Sequence, residues 1–325
     1  MRASRGKAPR GARTEQGRDS DMRVLVTGGA GFIGSHIVEH FSRERKAEVC
    51  VLDNLRTGRR ANLEGLRHDF VHGSVTDRAA VREAVKGVDY VFHLAALISV
   101  PESMEKPLEY VEVNTIGALI VLEEAAVAGV RKLCFSSSAA IYGDNPAVPK
   151  VETMTPEPRS PYAVTKLDGE YYCGIFQAEG RLRTACLRYF NVYGPRQDPA
   201  SQYAAAVPIF VDRALKNEAI TIFGDGEQTR DFIYVKDVVA ANALLALDRD
   251  ACNVYNVARG GSMTINSLAS KIVSVTGSQS SIHHAAERPG DVRHSQADVG
   301  RLKDAGFIAA TALEEGLRTT VEAFA

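Results

Sequence analysis

The segment Thr27-Gly-Gly-Ala-Gly-Phe-Ile-Gly34 limits the fold more than any other stretch of this chain. It sets three spaced glycines, Gly28, Gly31 and Gly34, between an apolar run at 24–26 and a stretch of helical periodicity. Glycine supplies here what no side chain allows. One position tolerates the positive φ of a tight turn, another lets the backbone approach a ligand, and Gly34 lets the helix pack closely on the strand. The helix that follows aims unpaired amides and the positive end of its dipole at the turn, a natural seat for a pyrophosphate. Glycine-rich turns also serve ordinary loops, so the strand-turn-helix context is what gives this one meaning.

The same alternation repeats from Met22 onward. Apolar runs at 23–27, 48–53, 70–72, 90–93, 132–136 and 184–188 are separated by helical stretches such as 81–86 and 109–128. Strands without polar alternation, spaced by helices, imply an α/β fold: a Rossmann-type doubly wound parallel sheet covered on both faces. Beyond 191 the pattern changes to Pro- and Gly-containing loops, with helices at 208–216 and 235–247 and a short strand at 220–223. This reads as a smaller C-terminal α/β substrate lobe. The expected division is a dinucleotide-binding domain over 22–190 and a lobe over 191–325, with about 235–258 returning to the first domain.

Composition sets the outer limits. A chain of 325 residues, 45% hydrophobic and 24% charged, can bury a large core. A net charge of −1 gives no global field for nucleic acid or an anionic membrane, so neither is expected as a partner. Residues 1–21 are basic, rich in Arg, Gly and Ser, and too polar for a secretory signal, and are expected to be a disordered tail. No apolar run approaches the ~20 residues of a membrane span. The five cysteines are scattered, odd in number and lack metal-ligand spacing. Reduced core thiols, no metal site and a cytoplasmic location follow as expectations.

The second strand ends in Asp53-Asn54, at the offset where a carboxylate accepts a hydrogen bond from the ribose 2′-hydroxyl and repels a 2′-phosphate. That favours NAD as cofactor, although Arg56, Arg59 and Arg60 nearby leave NADP open. Tyr162 and Lys166 stand four apart at the start of a helical stretch, on one face. A neighbouring ammonium and a cationic nicotinamide ring both favour phenolate, so the pair can act as a general base. Such a pair is common in any helix; it gains weight from Ser136-Ser137-Ser138, which ends an apolar strand on the edge where open α/β sheets bind ligands. Ser137 is expected to bond loop backbone.

With these motifs in view the chain resembles the UDP-glucose 4-epimerase family of extended short-chain dehydrogenases/reductases, from Met22 almost to the C-terminus. The resemblance rests on the glycine turn, Asp53-Asn54-Leu55 with Thr57-Gly58, His93-Leu-Ala-Ala96, Asn114, the segment 136–143, Tyr162 to Lys166, and Leu187-Arg-Tyr-Phe-Asn191. It implies that Ser138, Tyr162 and Lys166 are catalytic. It also implies that Phe32, Ile33, Ser74, Val75, Leu94, Ala95, Ala96, Asn114, Ser136 and Tyr189 lie with the turn and Asp53 around NAD. The activity implied is reversible oxidation and return of hydride at C4 of a UDP-hexose. A homodimer joined through helices at 109–128 and 162–177 is implied as well.

For the UDP-sugar, the resemblance puts Asn191 and Arg230 at the diphosphate, with Arg288 as a second clamp and Asp291 at the uridine ribose. Arg suits a diphosphate because its planar fork donates two parallel charged hydrogen bonds. Where relatives carry a bulky aromatic that narrows the hexose pocket, this chain has Ser295, which implies room for a 2-acetamido group. Three departures stand out: Ser74 replaces a common Asp at the adenine edge, Ile98 replaces a Lys, and Phe232 stands where a Tyr is often found. Sugar 4,6-dehydratases and decarboxylases share the scaffold, but the dehydratases need an Asp-Glu pair where this chain has Ser137-Ser138-Ala139.

Overall fold

A computed structural model describes residues 22–199, 205–248, 250–287 and 292–325. The expected tail at 1–21 lies outside the described residues. Among them, seven strands form one parallel sheet: β1 (Arg23–Thr27), β2 (Glu48–Asp53), β3 (Asp69–His72), β4 (Tyr90–His93), β5 (Lys132–Ser138), β6 (Arg183–Tyr189) and β7 (Val254–Val257). Their order is β7-β6-β5-β4-β1-β2-β3. The chain winds outward from β1 to β3, crosses back, and winds the other way from β4 to β7. Strand order therefore reverses between β1 and β4, and a crevice opens beyond their C-terminal ends.

Both faces of the sheet are buried, which explains the unbroken apolar runs. Val24 and Val26 of β1 pack on one side with Ile37, Phe41, Phe92 and Val238, while Leu25 packs on the other with Leu52, Val91, Val121 and Leu133. Each such side chain contributes about 1.5–3 kcal/mol by leaving water. A third cluster, including Tyr193, Phe210, Ile222, Leu268 and Leu317, fills the C-terminal lobe. Short parallel pairs of Asn191–Tyr193 with Phe232–Tyr234, and of Ile220–Phe223 with Ile282–Ala285, organise that lobe. Thr229–Arg230 pairs antiparallel with Met263–Thr264.

The predicted helix at 109–128 is helical over its whole length, with a widened turn at 111–116, and it begins two residues early at Pro107. A helix over Val100–Glu105 stops at Lys106 (φ −127°, ψ 52°), and the chain restarts as Pro107–Tyr110, a widened turn Val111–Ile116 and a straight helix Gly117–Ala128. The ring of Pro107 disfavours helical geometry at the preceding residue, which accounts for the break. β5 and β6 run slightly further than expected, to Ser138 and Tyr189, because these two residues still pair with each other. That extra length delivers Ser138 to the rim of the crevice.

Candidate active site

A cavity of about 490 Å³ occupies the crevice. Its floor is the glycine turn. Gly28 has φ +69°, and a Cβ there would sit 2.8 Å from the Ala95 amide nitrogen. A Cβ on Gly34 would lie 2.2 Å from the Gly28 carbonyl oxygen, so the helix Phe32–Glu39 can approach the strand only because that position is bare. Asp53 sits at the end of β2 and is oriented by backbone: Oδ2 accepts from the Ala30 amide at 2.9 Å and Oδ1 from Leu55 at 2.8 Å. Lone pairs remain on both oxygens for a further donor. Gly58 closes over it, since a Cβ there would be 2.9 Å from Asp53 Oδ2.

The three arginines that left NADP open all have partners. Arg56 pairs with Glu109 and, at 3.5 Å, with Glu102; Arg59 pairs with Asp198 at 2.5 Å; and Arg60 lies 4.2 Å over the Phe70 ring. Arg56 nonetheless lines the cavity.

The opposite wall carries the hydroxyls and the ammonium. Tyr162 and Lys166 occupy the first turns of the helix Pro161–Ala178, whose N-cap is Ser160, its hydroxyl accepting from the Ala163 amide at 3.2 Å. Proline at the first helical position and a serine cap are what start the helix here. Lys166 Nζ donates to the Ser136 carbonyl at 2.8 Å, and burial lowers its pKa to about 8. The Tyr162 pKa is raised by burial, with a hydrogen bond to Ser138 pulling it down more weakly. The expectation that Lys166 depresses the phenol is thus not met in the protein alone. The ammonium is engaged by β5 and stands 5.9 Å from the Tyr162 ring centre. His93, paired to the Thr27 hydroxyl at 2.8 Å, is held neutral by burial, with a pKa near 3.

The cavity gathers Gly28, Gly31, Phe32, Ile33, Gly34, Asp53, Asn54, Thr57, Gly58, Ser74, Val75, Leu94, Ala95, Ala96, Ser136, Ser138, Tyr162, Lys166 and Tyr189. Asn114 stands behind this wall. Its amide closes a pair of hydrogen bonds with the Leu97 backbone, at 2.8 and 2.9 Å, and donates to Thr165 at 3.1 Å. It thereby ties the loop after β4 to the helix of Tyr162. Ser74 turns its hydroxyl to Thr76, 2.8 Å away within its own loop.

The residues expected at the UDP-sugar are less concentrated. Asn191 donates to the Asp231 carbonyl at 3.1 Å, and Arg230 to the Thr229 carbonyl at 2.8 Å. The Ser295 amide also donates to the Thr229 carbonyl, at 3.0 Å, which brings Ser295 beside Arg230 in the C-terminal lobe. These three do not line the cavity. Arg288 and Asp291 lie outside the described residues.

The model of the NAD-dependent epimerase/dehydratase family matches residues 24–258. The chain belongs to that family. It is 43% identical to the UDP-N-acetylglucosamine 4-epimerase of Methanobrevibacter ruminantium, solved with UDP-N-acetylmuramic acid, at a TM-score of 0.90 with 94% of this chain and 98% of that one covered. It is 36% identical over 310 residues to the UDP-glucose 4-epimerase of Mycolicibacterium smegmatis, covering 93% of this chain and 98% of the relative. It is also 32% identical over 316 residues, 93% of this chain and 97% of the other, to a UDP-N-acetyl-alpha-D-glucosaminuronate decarboxylase of Bacillus cytotoxicus.

Sequence reasoning missed what lies beside the wall of Ser138, Tyr162 and Lys166. Ser137 was expected to bond loop backbone; it donates instead to the Glu170 carboxylate at 2.5 Å. Glu170 is two turns beyond Tyr162 on the same helical face and forms a buried two-pronged pair with Arg188, at 2.9 and 2.7 Å. The i, i+4, i+8 spacing of Tyr162, Lys166 and Glu170 was the available signal. Gln197, Phe190 and Val192 also line the cavity of this family member without having been singled out. Among the described residues no group of His, Cys, Asp and Glu could hold a metal ion, and no helix is long and apolar enough to cross a membrane.

Proposed function

We propose that this chain interconverts 4-epimers of a UDP-hexose, UDP-glucose with UDP-galactose and also their 2-acetamido counterparts, using bound NAD. The observation that carries the reading is the placement of Ser138, Tyr162 and Lys166 on one wall of the cavity whose floor is the glycine turn and Asp53. The fit to a dinucleotide is physical: a turn on which a Cβ at Gly28 or Gly34 would strike backbone, a helix N-terminus facing it, and a carboxylate at the ribose position. NAD held by the glycine turn, Asp53 and Lys166 would supply hydride-accepting and hydride-donating capacity at sugar C4.

Tyr162 takes the 4-hydroxyl proton as hydride leaves C4 and gives it back when the 4-keto sugar is reduced. Ser138, already bonded to Tyr162, shares its hydrogen bond with the same sugar oxygen. Lys166, held by the Ser136 carbonyl, presents its remaining protons to the nicotinamide ribose. The hexose must turn over between the two transfers, so the nucleotide has to be gripped while the sugar is held loosely. Asn191, Arg230, Arg288 and Asp291 are assigned that grip, and Ser295 the space beside the hexose. The C-terminal lobe from 191 onward, apart from about 235–258, supplies the grip, and the sheet domain of 22–190 with 235–258 holds the cofactor.

Elimination, as in a 4,6-dehydratase, needs a carboxyl acid and base beside the sugar. The one carboxylate among the described lining residues is Asp53, at the ribose end, which favours epimerisation. The test is to incubate the protein with UDP-galactose, UDP-glucose and their N-acetyl forms, without added reductant. Formation of the 4-epimer supports the reading; a 4-keto-6-deoxy sugar, or no conversion with cofactor bound, would refute it. A homodimer in the cytoplasm completes the proposal. It is supported by an exposed apolar stripe on the paired helices, with Leu108 at 83% and Tyr171 at 59% exposure.

A further inference from the structure

From Ser137, which lines the cavity beside Ser138, a chain of polar groups runs inward that the reaction itself does not use. Ser137 donates to Glu170, and Glu170 is paired twice with Arg188. Arg188 Nη1 donates to the Tyr142 hydroxyl at 2.8 Å, and that hydroxyl donates to Asn256 Oδ1 at 2.6 Å. The Asn256 amide donates to two main-chain carbonyls, Lys150 at 2.8 Å and Asp298 at 3.1 Å. All five side chains are buried. The chain therefore begins one residue from Ser138 and ends on the 296–298 segment, where the Lys150 amide donates to the Gln296 carbonyl and the Asp298 amide to the Lys150 carbonyl, next to Ser295.

A buried carboxylate-guanidinium pair costs as much in lost hydration as it returns in attraction, so stability alone is a weak reason for it. Such a pair, fully bonded, does fix geometry. Three successive residues of β5 are matched to three turns of one helix face: the Ser136 carbonyl to Lys166, Ser137 to Glu170, and Ser138 to Tyr162. We propose that the Ser137-Glu170-Arg188-Tyr142-Asn256 chain is a positioning brace, whose β5 end sets Ser138 against Tyr162 and whose far end sets the Ser295 segment that bounds the sugar. This rests on the 4-epimerase reading and deepens it: one buried chain links the step at C4 to sugar recognition.

Replacing Glu170 would leave Arg188 buried and unpaired and invites unfolding. The test therefore deletes one hydroxyl at each side of the intact pair. Ser137→Ala is expected to lower kcat about tenfold, the worth of one buried hydrogen bond, with KM for the UDP-sugar within about twofold. Tyr142→Phe is expected to raise KM about fivefold with kcat nearly unchanged, and to speed amide exchange at Lys150 and Asp298, which Ser137→Ala leaves protected. Wild-type kcat and KM in both folded variants, or identical losses in both with amide protection unchanged, would overturn the brace. If wild-type protein epimerises no UDP-hexose, the 4-epimerase reading falls by itself. The growth of 340 nm absorbance when a UDP-sugar reduces the bound cofactor, together with amide exchange, then decides the brace by the same two comparisons.

Discussion

Lys166 Nζ donates to the main-chain carbonyl of Ser136 at 2.8 Å, so the ammonium is anchored to β5 rather than laid against the phenol of Tyr162. Burial lowers its pKa to about 8. Between pH 8 and the ordinary lysine value of about 10.4, the unfolded chain holds a proton that the folded chain has lost. Native stability therefore rises with pH across that window, and below it folding carries the full penalty of a buried charge. Lys166→Met removes the penalty and leaves the Ser136 carbonyl without its donor. In ligand-free thermal melts the variant's stability relative to wild type is expected to fall as pH rises from 8 to 10. A difference independent of pH would contradict a desolvated Lys166.

Tyr162→Phe deletes only the phenol oxygen, whose partner is Ser138. Turnover of UDP-galactose is expected to drop about 10²–10⁴-fold, the usual range for a lost general base, with the melting temperature nearly unchanged. Ser138→Ala should cost about tenfold. Because both groups serve the same proton, the double variant should be no slower than Tyr162→Phe alone. Steady-state rates of the three proteins check this; multiplicative losses would separate the two roles.

How much of this was legible beforehand follows from burial. The sheet strands named in advance fall within two residues of their observed ends, because both faces of the sheet are covered and the runs are apolar throughout. The Tyr162–Lys166 pair was legible as spacing, and Ser138 was singled out only by the family resemblance. Glu170 and Arg188 were not legible, since each reads in isolation as a surface charge and only the fold brings helix and strand together. In the protein without cofactor the Tyr162 pKa is raised by burial, which spacing does not reveal. Spacing announces a neighbouring ammonium but neither burial nor the carbonyl that engages the ammonium. The short helix Val100–Glu105, which ends at Lys106 ahead of Pro107, was not named from the sequence.

The loop after Asn191–Tyr193 is fastened to the cofactor side of the crevice at three points. Arg59 meets Asp198 at 2.5 Å, Arg196 meets Glu39 at 2.7 Å, and the Pro195 carbonyl bonds the His36 ring at 2.9 Å. Gln197 of this loop lines the cavity, so the loop stands over the cofactor seat. Asp198→Asn is expected to speed NAD release severalfold at low ionic strength, with the difference vanishing near 1 M salt, since the pair is exposed and screened there. NAD retained after desalting, quantified at 260 nm, reads the effect. Equal loss at both salt concentrations would count against an ionic clasp.

Val164, Tyr171 and Ile175 stand exposed on the helix Pro161–Ala178, beside Met104, Leu108, Val111 and Ile116 of the neighbouring segments. A stripe of this size is a poor surface to leave in water. Tyr171→Asp places a charge within it and is expected to convert a dimer into a monomer by light scattering, at the same concentration. A wild-type protein already monomeric at tens of micromolar would remove the dimer proposal.

Ser295 is half-buried, its amide fixed to the Thr229 carbonyl at 3.0 Å, while the adjacent His294 contacts the Thr229 hydroxyl at 3.1 Å. The backbone here is pinned, so a substitution changes side-chain volume, which the proposed function sets beside the sugar, more than it changes the path of the chain. Tyrosine at this position fills the space that a 2-acetamido group would need, while a 2-hydroxyl remains tolerated. Ser295→Tyr is expected to lower kcat/KM for UDP-N-acetylglucosamine at least tenfold, within the 1–3 kcal/mol scale of a steric mismatch in a pocket, and to leave UDP-glucose within about twofold. Competing the two sugars against one another in a single reaction reads the ratio directly. Equal loss on both would place the effect in the fold of the lobe and leave Ser295 without a role in selecting the sugar.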